Sequence, residues 1–219
     1  HRHPHSCRES RFLTHEQVAA LAKASGTYGP VIRTLAYCGL RYGELAALRV
    51  RRVDLARRRL TIAESVTEIA GTAVFGTPKT HQVRSVPVPQ FLVEQLARTI
   101  EGKGPEDLVF TSTGGSLLRL TNFRRRIFDP AAAAAGLPGL TPHELRHTAA
   151  SLAVSAGANV KAVQRLLGHA SAAMTLDVYS GLFDDDLDAV AERLDAAAVV
   201  PPACPKPAEK KVRRTRARR

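Results

Sequence analysis

The chain has 219 residues, with 32 Lys+Arg against 20 Asp+Glu and a net charge of +12. That length fits one core of ordinary size with room for a tail, and the positive excess points to a polyanionic partner, nucleic acid before membrane surface. From Lys206 to Arg219 eight Lys/Arg stand against one Glu, so the tail carries +7 of the charge and the rest is moderately basic. Three cysteines, Cys7, Cys38 and Cys204, imply no disulfide framework and suit a reducing compartment. No apolar stretch is long enough for a membrane span, and no signal peptide is visible.

Residues 1–11, HRHPHSCRESR, read as a linker arriving from an upstream segment. Thr14 followed by Gln17 is a capping box that opens a helix with Val18, Leu21 and Ala22 at helical spacing. A second helix runs through PVIRTLAYC to Gly39, with Cys38 as a small buried thiol, and YGELAALR makes a third. From about residue 58 the pattern alternates and turns β-branched. RRLTIAESVTEI, GTAVFGTPKT and VRSVPVP predict three short strands, the last two a hairpin across KTHQ. Helical periodicity returns at QFLVEQLARTI, and residues 102–120 read as loop. Further helices are predicted at about 121–135, 142–156, 159–168, 172–179 and 186–198. The expectation is a mainly α domain over 12–199 with a small three-stranded antiparallel sheet, followed by a disordered basic tail at 200–219.

One motif inside this scheme invites a metal reading. His143-Glu144-Leu145-Arg146-His147 matches H-E-x-x-H, the zinc helix of many metalloproteases. Zinc needs a third protein ligand and an open position for water. The extended pattern would place Gly at 150 and His at 153, where this chain has Ala150 and Ala153. Glu192 is the one carboxylate of the required type left before the tail, and Arg146 between the histidines repels a dication. No metal and no cofactor is implied.

A second constellation fits metal-free phosphoryl transfer. Arg41 follows a helix end and a glycine. Lys79 alone among the seven lysines falls on a predicted strand or its turn. His143 and Arg146 share a helical turn, and Tyr179 follows His169 by ten residues. Two guanidinium groups can clamp the non-bridging oxygens of a phosphodiester and stay charged as negative charge builds. A tyrosine hydroxyl, with a free pKa of about 10, can attack phosphorus once a histidine accepts its proton. A lysine ammonium can protonate the leaving 5′-oxygen. The product is a 3′-phosphotyrosine that keeps the energy of the broken bond, so rejoining needs no ATP.

CGLRYGEL, PKTHQVRSVPVP, HELRHT, LLGHAS and TLDVY resemble, in order and spacing, the active-site boxes of the tyrosine recombinases, the phage integrase family; the resemblance spans about 14 to 183. It implies the DNA breaking–rejoining fold and a site-specific recombinase of a phage or other mobile element. By it, Arg41 and Arg146 clamp the phosphate and Lys79 is the general acid. His143 accepts the phenol proton, His169 hydrogen-bonds the phosphate and Tyr179 is the nucleophile. It also implies a DNA-binding domain upstream of His1, double-stranded attachment sites as substrate, a synaptic homotetramer, an accessory directionality factor, and work at the nucleoid in the cytoplasm of a bacterial host.

Around these residues, Glu44 reads as support for Arg41 or as a helix-start charge, and His147 as structure or support behind the reacting groups. Arg124, Arg125 and Arg126 make either a solvated face or a contact to the DNA backbone. The 186–198 helix, with Leu187, Val190 and Leu194 on one side, packs on its own domain or on a neighbouring protomer. A type IB topoisomerase and a non-catalytic DNA-binding protein are the competing readings beside the zinc hydrolase.

Overall fold

A computed structural model describes residues 11–78, 83–179 and positions 191, 192, 194, 195 and 198. By its contacts the chain divides into two units, His1–Leu182 and Phe183–Arg219. In the second, the described positions are helical; the rest of the 186–198 helix, the tail at 200–219 and most of the 1–11 linker lie outside the described residues.

The first unit opens with α1 (His15–Ala24), held by the expected box: Thr14 Oγ1 accepts from the Gln17 backbone N–H and the Gln17 side chain accepts from the Thr14 backbone N–H. Helix α2 (Gly29–Cys38) has Pro30 in its first turn and ends at Gly39, a left-handed residue with φ 63°. After α3 (Tyr42–Ala46) come β1 (Val53–Asp54), β2 (Arg59–Ile62), β3 (Ser65–Ile69), β4 (Thr72–Gly76) and β5 (Arg84–Pro87). Helix α4 (Gln90–Ile100) follows. Then α5 (Leu120–Phe123) continues through a π turn at Arg124–Phe128 into α6 (Asp129–Ala134). Pro130 has no N–H for the Arg126 carbonyl, which relaxes the ladder at this point. The chain proceeds to α7 (Pro142–Ser155), α8 (Val160–Leu167) and α9 (Ala172–Tyr179). Among the described residues no helix is long and apolar enough to cross a membrane.

The strand pairing differs from expectation. A three-stranded antiparallel sheet forms in the order β1-β2-β5, and β3 pairs with β4 in a separate two-stranded sheet. The predicted strand through RRLTIAESVTEI breaks at Ala63–Glu64, where the Glu64 carboxylate accepts from Arg49 and Arg51. Burial decides the partners. Leu60 and Ile62 on β2 and Val86 on β5 form one buried face, whereas Ile69, Val74 and Phe75 of the β3–β4 hairpin stay exposed. That hairpin turns at Ala70–Gly71, both with positive φ as a tight two-residue turn requires. Among the described residues β4 pairs with β3 and β5 with β2, in place of the expected pairing of the last two strands across KTHQ, and residues 79–82 themselves lie outside the described residues.

The core gathers Leu21, Ile32, Leu35, Leu45, Leu92, Leu96, Phe123, Phe128 and Leu145, all buried. Helix α2 packs on α1 and α7, α7 on α8, and α8 on α9 and β5. The C-terminal ends of α2 and α8 thereby meet the start of α7, where the charged residues collect.

Candidate active site

Helix α7 is started by a second capping box: the Thr141 backbone N–H and hydroxyl both donate to Glu144 Oε2, at 2.7 and 2.9 Å. The helical turn that follows sets His143, Arg146 and His147 on one side. Arg146 is 3% exposed, and its guanidinium donates to the carbonyls of Gly39 and, at 2.6 Å, of Leu167. Those carbonyls terminate α2 and α8, so the cation sits at the negative ends of two helices. Both helices end in a left-handed glycine, Gly39 and Gly168. At Gly39 a Cβ would lie 2.9 Å from Leu167 Cδ2 and 3.3 Å from Ala149 Cβ, and the positive φ strains any residue with a side chain there. Burial first, and then the neighbouring Arg41, push the Arg146 pKa down to about 9. It remains a cation at neutral pH, in a setting that an added anion would relieve.

Arg41 lies at the start of α3, and Glu44 organises it. The Glu44 carboxylate is fully buried; it accepts from the Arg41 backbone N–H (2.9 Å) and the Arg41 guanidinium (3.0 Å). It also accepts two parallel bonds from Arg84 on β5, at 2.9 and 2.6 Å. Glu44 thus contacts Arg41 and lies in the first turn of α3. Burial alone would push its carboxyl up; the hydrogen bonds and charge of Arg84, with those of Arg41, outweigh this and hold the pKa below the ordinary carboxylate value. Arg84 was missed in the sequence. Its one signal was position: two residues from buried Val86, it shares that residue's face of β5 and points inward. Arg84→Ala should cost about 3 kcal/mol by leaving the buried carboxylate with Arg41 as its one cationic partner among the described residues. Thermal melts at neutral pH check this, and the loss should shrink in acid as Glu44 protonates.

Helix α9 places Thr175 and Tyr179 one turn apart, both buried. The Tyr179 hydroxyl shares a 2.8 Å hydrogen bond with His147 Nδ1. The His169 ring lies parallel to the Tyr179 ring, with centroids 6.5 Å apart, and its Nδ1 shares a 3.0 Å hydrogen bond with the Thr175 hydroxyl. His143 meets His147 edge-on at 4.9 Å. The expected proton acceptor was His143, with His147 as support; the geometry puts His147 on the phenol instead, because the residue one full turn further along α7 is the one that reaches α9. Thr175, which tethers His169, was also not anticipated.

Burial, then the charges of its neighbours, lowers the pKa of each of the three histidines, that of His169 to about 4. Tyr179 is 2% exposed, and burial pushes its phenol up to about 12 against a lowering pull from Arg146. At neutral pH the site therefore holds a protonated phenol, neutral imidazoles and fixed guanidinium charge.

Other expected residues stand apart or lie outside. Lys79 falls outside the described residues. Arg124 pairs with Asp129, and exposed Arg125 and Arg126 share no hydrogen bond with the site among the described residues. Among the described residues no three His, Cys, Asp or Glu side chains gather as a metal centre would require.

The sequence pattern described as the phage integrase family matches residues 11–185. A putative prophage phiRv2 integrase of Mycobacterium tuberculosis is 30% identical over 172 residues, covering 76% of this chain and 46% of that protein. The transposase from transposon Tn916 of Enterococcus faecalis is 30% identical over 201 residues, covering 82% and 49%. The chain thus spans about half the length of the curated relatives it matches. Among solved structures, the Tn1549 transposon integrase in complex with transposon right end DNA superposes with a TM-score of 0.74 at 25% identity, over 87% of this chain and 67% of that one. With the family pattern running through α1 to α9, and a mostly helical fold shared with recombinase structures, the chain belongs to the phage integrase family.

Proposed function

We propose that the chain is the catalytic part of a site-specific DNA recombinase of a phage or transposon, cleaving and rejoining strands through a 3′-phosphotyrosine. The observation that carries this is the Tyr179 hydroxyl hydrogen-bonded to a neutral histidine beside two arginines, one of them buried between helix ends. Arg41 and Arg146 bind the non-bridging oxygens of the scissile phosphate. His169, oriented by Thr175, donates a further hydrogen bond. Tyr179 Oη attacks phosphorus and gives its proton to His147, and the P–O5′ bond breaks. Lys79 supplies the proton taken up by the leaving oxygen. Attack by a 5′-hydroxyl on the phosphotyrosine reverses the step and joins the new strand.

A nucleophile on a residue 2% exposed is out of reach of a duplex, so DNA binding also has to uncover Tyr179. The substrate is duplex DNA at two attachment sites, brought together by a homotetramer to which the 186–198 helix contributes, with an accessory directionality factor setting the outcome. Arg124, Arg125 and Arg126 contact the DNA backbone away from the chemistry. The place of action is the nucleoid of a bacterial host.

The test is to trap the adduct on a nicked suicide duplex carrying the recombination site and to map both partners. The expected linkage is Tyr179 to a 3′-phosphate; no adduct from the intact chain would leave a DNA-binding protein. The pH profile adds a second check. A base works only when neutral, and the His147 pKa lies below the usual 6.5. Single-turnover cleavage should hold its rate down through pH 6.5 and fall only at more acidic pH. An acid limb above pH 6.5 would remove His147 as the base.

A further inference from the structure

Between β5 and α8 lies a cleft of about 350 Å³ that the chemistry above does not use. Its walls include Arg84, Ser85, Lys161, Gln164, Arg165 and His169, and no carboxylate lines it. Arg84 is committed elsewhere: both terminal nitrogens bond Glu44, its side chain is 9% exposed, and its Nε is buried without a hydrogen-bond partner against Gly168. A Cβ at Gly168 would lie 2.9 Å from that nitrogen, so the wall is rigid and its charge is fixed. Lys161 and Arg165 are the free cations. They stand one turn apart on α8, opposite the buried Val163 and Leu167, and both are exposed. Lys161 Nζ donates one bond, to Gln164 Oε1 at 2.9 Å, and Arg165 makes no ion pair among the described residues. Gln164 Nε2 in turn donates to the His169 carbonyl at 3.1 Å, tying the cleft wall to the histidine that stacks on Tyr179.

We infer that this cleft is a second phosphate subsite, in which Lys161 and Arg165 hold a backbone phosphate of the DNA strand next to the scissile one. The inference rests on the recombinase reading. His169 and Arg84 border both the cleft and the active site, so a strand whose reacting phosphate lies at Arg41 and Arg146 continues into it. The volume suits one nucleotide unit of a strand, the exposed donors are cations, and the Gln164 amide is already engaged, its Oε1 by Lys161 and its Nε2 by the His169 carbonyl, which fits a contact blind to sequence. Lys161 and Arg165 touch a phosphate that does not react, so they add to affinity and register and leave the rate of the bound complex alone.

The test compares the 219-residue chain with its Lys161→Ala/Arg165→Ala variant on a fluorescent random-sequence duplex over a range of salt. Losing the contact to that one phosphate should flatten the slope of log K against log salt by about 0.9. Single-turnover cleavage at saturating DNA should stay at the wild-type rate. An unchanged slope overturns the proposal, and so does a variant that binds normally but cleaves slowly, since the residues would then act through the His169 turn. Inorganic phosphate separates the two sources of anion. If it shifts the Gln164 side-chain amide while the DNA slope is the same in both chains, the cleft takes a free anion and the proposal falls. Binding to a random duplex needs no chemistry. A flattened slope in a chain that never forms a Tyr179 adduct would therefore keep the subsite and remove the recombinase reading.

Discussion

Tyr179→Phe should abolish the covalent protein–DNA adduct and strand cleavage while leaving duplex affinity nearly unchanged. The substitution removes one oxygen and keeps the ring, so the parallel stack on His169 and the 6.4 Å contact with Phe12 survive. What is lost in the folded chain is one hydrogen bond to His147, about 0.5–1.5 kcal/mol. What is lost in the chemistry is the whole reaction, since among the described residues the one other hydroxyl paired with a histidine beside Arg146, that of Thr175 on His169, is fully buried in the core. With its phenol pushed up to about 12, Tyr179 is a phenolate in only on the order of 10⁻⁵ of molecules at neutral pH. Proton transfer to His147 as the bond to phosphorus forms is therefore integral to the mechanism. Wild type and Tyr179→Phe behaving alike on a nicked suicide duplex would end the enzyme reading, whereas adduct at a different residue would move the nucleophile but keep the class.

How much of this was legible in the sequence depended on how local the cause was. The Thr14–Gln17 box and the spacing of His143 and Arg146 on α7 are set within one helical turn, and both appear as read. Strand pairing is not local. β2 chooses β5 over the adjacent β3 because Leu60, Ile62 and Val86 complete a buried face, a match across more than twenty residues that periodicity alone does not reveal. The same holds within the site. Family order singled out His143, but which imidazole meets Tyr179 depends on how α7 sits against α9, and the packing selects His147. Arg84 looked like any charge on a short strand; only the fold brings it to the Glu44 carboxylate, forty residues earlier in the chain. Glu44 itself was half-legible, because its bond to the Arg41 backbone is a three-residue cap while its tie to β5 is tertiary.

Arg146→Ala should bring cleavage down by about 10²–10³ or more, the loss typical of removing one donor aimed at developing negative charge. The effect has two parts that can be separated. One is catalytic: a fixed cation beside Tyr179 disappears, and with it the lowering pull on the phenol. The other is structural, because the Gly39 and Leu167 carbonyls at the ends of α2 and α8 lose the donor they share, at roughly 1–3 kcal/mol for each buried acceptor left unpaired. Melting curves measure the second part, and cleavage at saturating DNA, below the melting range, isolates the first. Arg146→Lys sharpens the distinction. It keeps the charge but presents a single ammonium, which cannot bridge two helix ends and a phosphate at once, so it should restore binding more than rate. Glu144→Gln is the matched contrast from the same helical turn. Gln at that position still accepts from Thr141, the capping box survives, and cleavage should be nearly intact. A metal hydrolase would reverse the order, with Glu144 essential as general base and Arg146 dispensable. Measured side by side on one duplex, the two substitutions decide whether His143-Glu144-Leu145-Arg146-His147 works through its arginine or through its glutamate.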